Sequence, residues 1–199
     1  PIEFKVDEDN PSISLNPVAT PTNINDLHIT GSASDTTSNV DNVQYQIDST
    51  TGPWINANPT DGAFNSQNED FWFDTGTLSD GQHTIYARAV DEANNIQTDS
   101  LSVCIDTALP VADAGGPYNA NEGDSQITLD ASGSTDNNVC GNLEYRWDID
   151  NDGTYDTAWM SSPTYNCPSA VCYWLAYDTV ETVKVQVRDP AGNMDEATA

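Results

Sequence analysis

The sequence predicts an all-β chain built as two tandem β-sandwiches. Three observations predict it. The apolar residues alternate with period two in short runs bounded by Gly, Pro, Asn, Asp and Ser. No segment carries a convincing helical period. The chain also repeats itself once: LSVCIDTALP from Leu101 matches IEFKVDEDNP from Ile2 at an offset of 99 residues, and HTIYARAVDEANN around Asp91 matches ETVKVQVRDPAGN around Asp189 at an offset of 98. A repeat of that length is one ordinary small domain.

In the first unit, strands are expected at 12–15, 27–32, 43–48, 71–73, 83–90 and 101–105. In the second they are expected at 111–114, 126–130, 143–148, 165–166, 172–175 and 182–188. The last of these is the clearest. Val183, Val185 and Val187 fall on one face, while Lys184, Gln186 and Arg188 fall on the other. The matching strand of the first unit puts Ile85, Ala87 and Ala89 inside. Short strands at this spacing, with turns between them, predict sandwiches. The boundary falls near Asp106–Pro110, in a linker too short and too proline-stiffened to be a free hinge.

The repeat is out of phase with the ends of the sequence. The expected division is an orphan strand at 1–6, a first domain at 7–106 and a second at 107–199. The second domain is expected to lack its own last strand, and Ile2, Phe4 and Val6 form a spare copy of it. An unpaired sheet edge is adhesive. One chain's spare strand is therefore expected to complete the second domain of the next, by strand addition in trans. Such a contact does not close, so it propagates head to tail. A covalent array of modules cut out of phase accounts for the same pattern.

The charge is extreme, with 32 acidic residues against 5 basic and a net −27. Nucleic acid is excluded as a partner, because phosphate contacts need Lys and Arg. No run of 18 apolar residues occurs, so no membrane insertion is expected in this segment. Asp outnumbers Glu by 24 to 8, and many Asp sit in turns beside Asn and Gly. That pattern favours bound Ca²⁺, a hard cation that takes carboxylate and carbonyl oxygen. A halophilic surface is the competing account. Asn10 and Asn58, the only Asn that open a glycosylation triplet, are both followed by Pro, so Asn-linked glycan is not expected.

Residues VADAGGPYNANEGDSQITLDASGSTD, YRWDIDNDGTYD and VKVQVRDPAGN resemble the PKD (polycystic kidney disease repeat) domain over most of 111–193. The stretch Cys167–Trp174 departs from that pattern. The first unit, through ITGSASD, VQYQID, LSDGQHTIYARAVDEANN and the closing IDT, resembles bacterial and archaeal Ig-like surface modules. The resemblance implies two non-catalytic Ig-like sandwiches, of the kind found in surface layers, adhesins and the accessory regions of secreted hydrolases. It also implies that Trp147 is a core aromatic of its sandwich.

Three acidic groups are candidate Ca²⁺ sites. In an Ig-like sandwich the entering chain and two loops meet at one end. In the second unit these bring Asp106, Asp136, Asn138 and Asp189; in the first, Asp7, Asp35 and Asp91. Some PKD domains of secreted collagenases hold Ca²⁺ at positions resembling Asp136 and Asp189, and Asn138 stands where a second loop Asp is usual. The third group is Asp148, Asp150, Asp152 and Asp156 in DIDNDGTYD, which has the spacing of the first half of an EF-hand loop but Trp159 in place of its final Glu. The alternative for all three is that Asp simply caps turns.

Four Cys without CxxC spacing, in an acidic and turn-rich chain, point to disulfides and an extracellular or cell-surface setting rather than to zinc. A local bridge Cys167–Cys172 leaves Cys104–Cys140 between the units. The competing arrangement pairs Cys140 with Cys167 or Cys172. No catalytic residue is identified, since two His (His28 and His83) with no nucleophile motif offer nothing for catalysis. Trp54, Trp72, Trp159 and Trp174 are the candidates for stacking on carbohydrate, with no motif assigning one. The expected function is a repeat unit of an extracellular filament, stalk or surface layer. The alternative is an accessory binding or spacer region of a secreted hydrolase or adhesin.

Overall fold

A computed structural model describes residues 6–119, 124–172 and 182–199. The chain divides into two compact units, Pro1–Ile105 and Asp106–Ala199. Each is all-β, and the described residues contain no helix.

The first unit holds two four-stranded antiparallel sheets. One has the order β1 (Ser12–Leu15), β2 (His28–Ser34), β6 (Asn68–Asp74), β5 (Asn58–Pro59). The other has the order β4 (Ile55–Asn56), β3 (Val40–Ile47), β7 (Gly81–Asp91), β8 (Ile96–Ile105). This is the strand partition of an immunoglobulin-type sandwich, whose first, second, fifth and fourth strands share one sheet. Alternation decides which residues are buried. Ile29, Phe71 and Phe73 from one sheet meet Val40, Val43, Ile85, Ala87, Ala89, Val103 and Ile105 from the other, all at 0 or 1 % exposure. Gly31 is required in β2, because a Cβ there would lie 2.5 Å from both Phe71 Cζ and the Ser14 carbonyl oxygen.

Among its described residues the second unit repeats the plan with fewer strands. β9 (Gln126–Asp130) pairs with β11 (Thr164–Pro168), and β10 (Glu144–Asp148), β12 (Lys184–Arg188) and β13 (Met194–Thr198) form a three-stranded sheet. Trp147, Leu129, Ile149, Val185 and Val187 fill its core. The expected strand at 111–114 is reduced to a bridge between Val111 and Thr135. The expected strand at 172–175 lies outside the described residues except for Cys172, which is buried and in a bend.

One expectation is corrected. The second unit does have a last strand, since β13 pairs with β12 from Arg188↔Met194 to Lys184↔Thr198. Val183 and Ala199 exchange backbone bonds one rung further. These rungs match Val90↔Ile96 to Ile85↔Leu101 in the first unit. The expected absence of that strand is therefore overturned. The strand carries MDEAT on an exposed edge, with no apolar alternation to announce it. Of the spare copy, Ile2 and Phe4 lie outside the described residues, while Val6 is exposed and not in a strand.

Candidate metal centre

At one end of each unit, three carboxylates converge. Asp7, Asp35 and Asp91 offer oxygens all within 4.8 Å of one another, and so do Asp106, Asp136 and Asp189. Each trio joins the entering chain, the loop after the second sandwich strand and the turn after the long penultimate strand. These three segments meet there because Ig-like topology brings them to one end.

A feature not seen from sequence fixes the third carboxylate. Asn193, four residues after Asp189, donates its backbone N–H to Asp189 Oδ1 at 3.0 Å and its side-chain amide to Oδ2 at 2.6 Å. The same amide reaches back to the Asp106 carbonyl at 2.8 Å. Asn95 repeats all three contacts: 2.8 Å to each oxygen of Asp91 and 3.2 Å to the Asp7 carbonyl. The signal was present in the second Asn of DEANN and the Asn of DPAGN, which stand at the same offset of 98.

Not every carboxylate oxygen is satisfied. Asp106 is 1 % exposed; its Oδ1 accepts from Asn137 Nδ2 and Ala108 N–H, but Oδ2 is buried with no hydrogen-bond partner among the described residues. Asp136 Oδ1 is likewise buried and unpartnered, and so is Asp7 Oδ2 in the first unit. Burial raises the Asp106 carboxyl above its usual range. The Asn137 and Ala108 donors oppose this, and the Asp136 and Asp189 charges add to it. A cation reverses that balance by supplying the charge these oxygens lack. The donor set fits Ca²⁺. A small inward movement brings three such oxygens to the roughly 2.3–2.6 Å of Ca²⁺, whereas Mg²⁺ demands about 2.1 Å and near-octahedral order. Asn138 adjoins the trio and donates its backbone N–H to Asp136 Oδ2 at 3.3 Å. It stands at φ 55° and turns its side-chain amide to the Asp136 carbonyl.

The third group behaves differently. Asp148, Asp150 and Asp156 come within 4.8 Å, without Asp152. Asp148 is fully buried and accepts from the Asp152 and Gly153 N–H groups; Asp156 accepts from Ile149 N–H, and Asp150 from Asp152 N–H. Asn151 and Gly153, at φ 52° and 94°, make the turn that points these donors inward. Lys184 Nζ lies 3.7 Å from Asp148 Oδ2.

The rare cations line the outer sheet faces. Arg88 bonds Gln44 across β7–β3, and Arg146 bonds Gln186 across β10–β12. Counting rungs from the penultimate strand, these are the same rung with the two residues exchanged. Arg88 lies over Trp54, Arg146 over Tyr155 and Trp159, and Arg188 over Trp159 while pairing with Glu144 at 2.6 Å. Burial and Glu196 push the Tyr155 hydroxyl up to about 12. Trp72 packs against the His28 ring. Trp147 is in the core, and Trp174 lies outside the described residues.

Cys167 and Cys172 form a disulfide. Cys104 and Cys140 are also each disulfide-bonded. His83 has both ring nitrogens engaged, Nδ1 with Asp48 and Nε2 with the Ser79 carbonyl, and His28 meets Asp74 through Nδ1.

No family model matches the chain, and no curated protein matches it. Solved structures overlap it loosely. A tetra-tandem repeat from the extending region of a large adhesion protein is 20% identical, with a TM-score of 0.34 over 95% of this chain and 47% of that one. Chicken CNTN1 domains FN1–FN3 are 11% identical, with a TM-score of 0.35 over 95% and 65%. The Bacteroides ovatus mixed-linkage glucan utilization protein SGBP-B, solved with a heptasaccharide, is 12% identical, with a TM-score of 0.31 over 96% and 47%. The chain thus spans less than two thirds of each of these structures.

Proposed function

We propose that this chain is a non-catalytic structural segment of an extracellular filament, stalk or surface layer. The observation that carries the reading is the repeated closure of two sandwiches in series. Each gathers an entering Asp, a loop Asp and a turn Asp at one end, and each locks the turn Asp to the entering backbone through an Asn. Ca²⁺ held there stiffens the entry to each module, and the disulfides fit an oxidising exterior. The histidines support no catalytic role, because His83 spends both ring nitrogens on structural bonds. The half-buried Trp54, Trp72 and Trp159 each already have a guanidinium or imidazole against the ring, which weighs against a sugar platform.

The finer reading is head-to-tail assembly with copies of itself. In the first unit Leu101–Ile105 fill the rungs opposite Gly81–Ile85. Strand Ile2–Val6, whose sequence matches 101–105, is proposed to extend the corresponding ladder in the second unit of a neighbour past the Val183–Ala199 rung, which the neighbour's own chain fills. Negative-stain electron microscopy of native material, beside a denaturing non-reducing gel, tests both levels. Filaments that dissociate to a band near 21.5 kDa support strand exchange. Filaments that leave a very large band support a covalent array. Globular particles alone overturn the structural reading.

A further inference from the structure

Three acidic clusters occur among the described residues, and they are not equivalent. The acidic turn 148–156 supplies its own counter-charge. Its carboxylates accept backbone N–H groups, and Lys184 stands beside the buried Asp148. The first-unit trio is one step more open. Asp91 is held by Asn95, Asp35 takes the Thr37 and Ser38 N–H groups, and one buried oxygen of the half-buried Asp7 is left over. The second-unit trio is the most open. It has two buried oxygens without partners, on Asp106 and Asp136, and Asp106 is 99 % removed from solvent by its 1 % exposure. An unpaired buried carboxylate oxygen is costly, and a cation is the partner that removes the cost for both oxygens at once.

We propose that Ca²⁺ loads this chain in a fixed order: first at Asp106–Asp136–Asp189, then more weakly at Asp7–Asp35–Asp91, and not in the acidic turn. The order rests on the calcium reading above and says which sites carry it. The ligand set is anionic oxygen throughout, so the same site prefers Ca²⁺ to Mg²⁺, whose smaller shell asks these anchored loops to contract further. The EF-hand-like spacing of DIDNDG is thus a decoy. Sequence spacing marks it as the cation loop, whereas hydrogen-bond accounting marks it as already filled.

The test is calorimetric titration of the chelator-stripped, full-length chain with CaCl₂, and separately with MgCl₂, in wild type and in Asp106→Asn, Asp136→Asn and Asp150→Asn. Thermal melts of each variant verify folding. Asp136→Asn, at a half-exposed position, stands in if Asp106→Asn does not fold. The expected result is a tight event near one equivalent that weakens at least about tenfold in the Asp106 and Asp136 variants, the scale on which metal sites lose affinity when even a supporting partner is removed. The tight event is expected to persist in Asp150→Asn and to be absent with Mg²⁺. Loss of the tight event in Asp150→Asn, with retention in Asp106→Asn, overturns the proposed order but keeps the calcium reading. No Ca²⁺ binding at all overturns both. Filaments that still form in chelator then show that the structural reading survives without them.

Discussion

Asn193 donates its side-chain amide to the backbone carbonyl of Asp106 at 2.8 Å, across 87 residues of sequence. The bond fastens the first residue of the second unit to the turn that precedes its last strand. Asn95 makes the equivalent bond to Asp7. Asn193→Ala removes this bond and one of the two Asn193 bonds to the carboxylate of Asp189, which is 2 % exposed, leaving only the backbone N–H. The expected loss is about 1–3 kcal/mol of second-unit stability, the usual cost of leaving a buried polar group unpartnered. Chemical denaturation without added metal measures it. A variant as stable as the parent would falsify the fastening role.

Gly31 makes a second prediction. Gly31→Ala places a methyl against Phe71 and the Ser14 carbonyl, and β1, β2 and β6 cannot separate without breaking their ladder. Overpacking of this kind costs about 1–3 kcal/mol. The melting transition of the first unit is expected to fall, with that of the second unchanged. Differential scanning calorimetry reads the two apart.

His83 and Asp48 predict the pH dependence of the first unit. Burial works against a charged His83, but the Asp48 carboxylate and the Ser79 carbonyl prevail and raise it above its ordinary 6.5. Burial likewise works against the Asp48 charge, while Thr84 N–H and His83 hold it below 3.8. The His83 contribution is complete below 6.5 and is lost as pH rises through the raised value. That of Asp48 is present above 3.8 and is lost as pH falls through its lowered value. Stability from this pair is therefore greatest between about 4 and 6.5, and it declines just above that window. His83→Gln is expected to flatten the decline. An unchanged slope between pH 6 and 8 counts against the pair.

The cysteines predict a peptide map. With Cys167 bonded to Cys172, digestion under non-reducing conditions is expected to place these two in a bridge that includes neither Cys104 nor Cys140. Recovery of Cys140 joined to Cys167 or Cys172 counts against it.

Much of this was legible from sequence, and the residues show why. In β7, and in β12 with the residue before it, Ile85, Ala87, Ala89 and Val183, Val185, Val187 alternate strictly because one face is core and the other water. The two-residue strands Ile55–Asn56 and Asn58–Pro59 left no period to detect. β13 was invisible because an exposed edge selects for charge rather than alternation. The acidic trios could be assembled from topology alone, because an Ig-like sandwich brings its entering chain and two loops together. What spacing could not give is which oxygens are already bonded. That depends on backbone N–H directions set by residues such as Asn151 and Gly153 at positive φ.

The exchanged Arg–Gln rung bears on how tandem copies avoid confusing one another while folding. In the correct pairings, Arg88 faces Gln44 and Arg146 faces Gln186. If β10 of one unit were to dock in the same register on β7 of the other, Arg146 would face Arg88, leaving Gln186 and Gln44 to pair without a charge. Like charges directly opposite on a sheet are destabilising, and neighbouring repeats are prone to trade strands. By placing the guanidinium on opposite strands of the same rung, the chain marks each sandwich's sheet as its own and makes a mixed sheet the poorer choice.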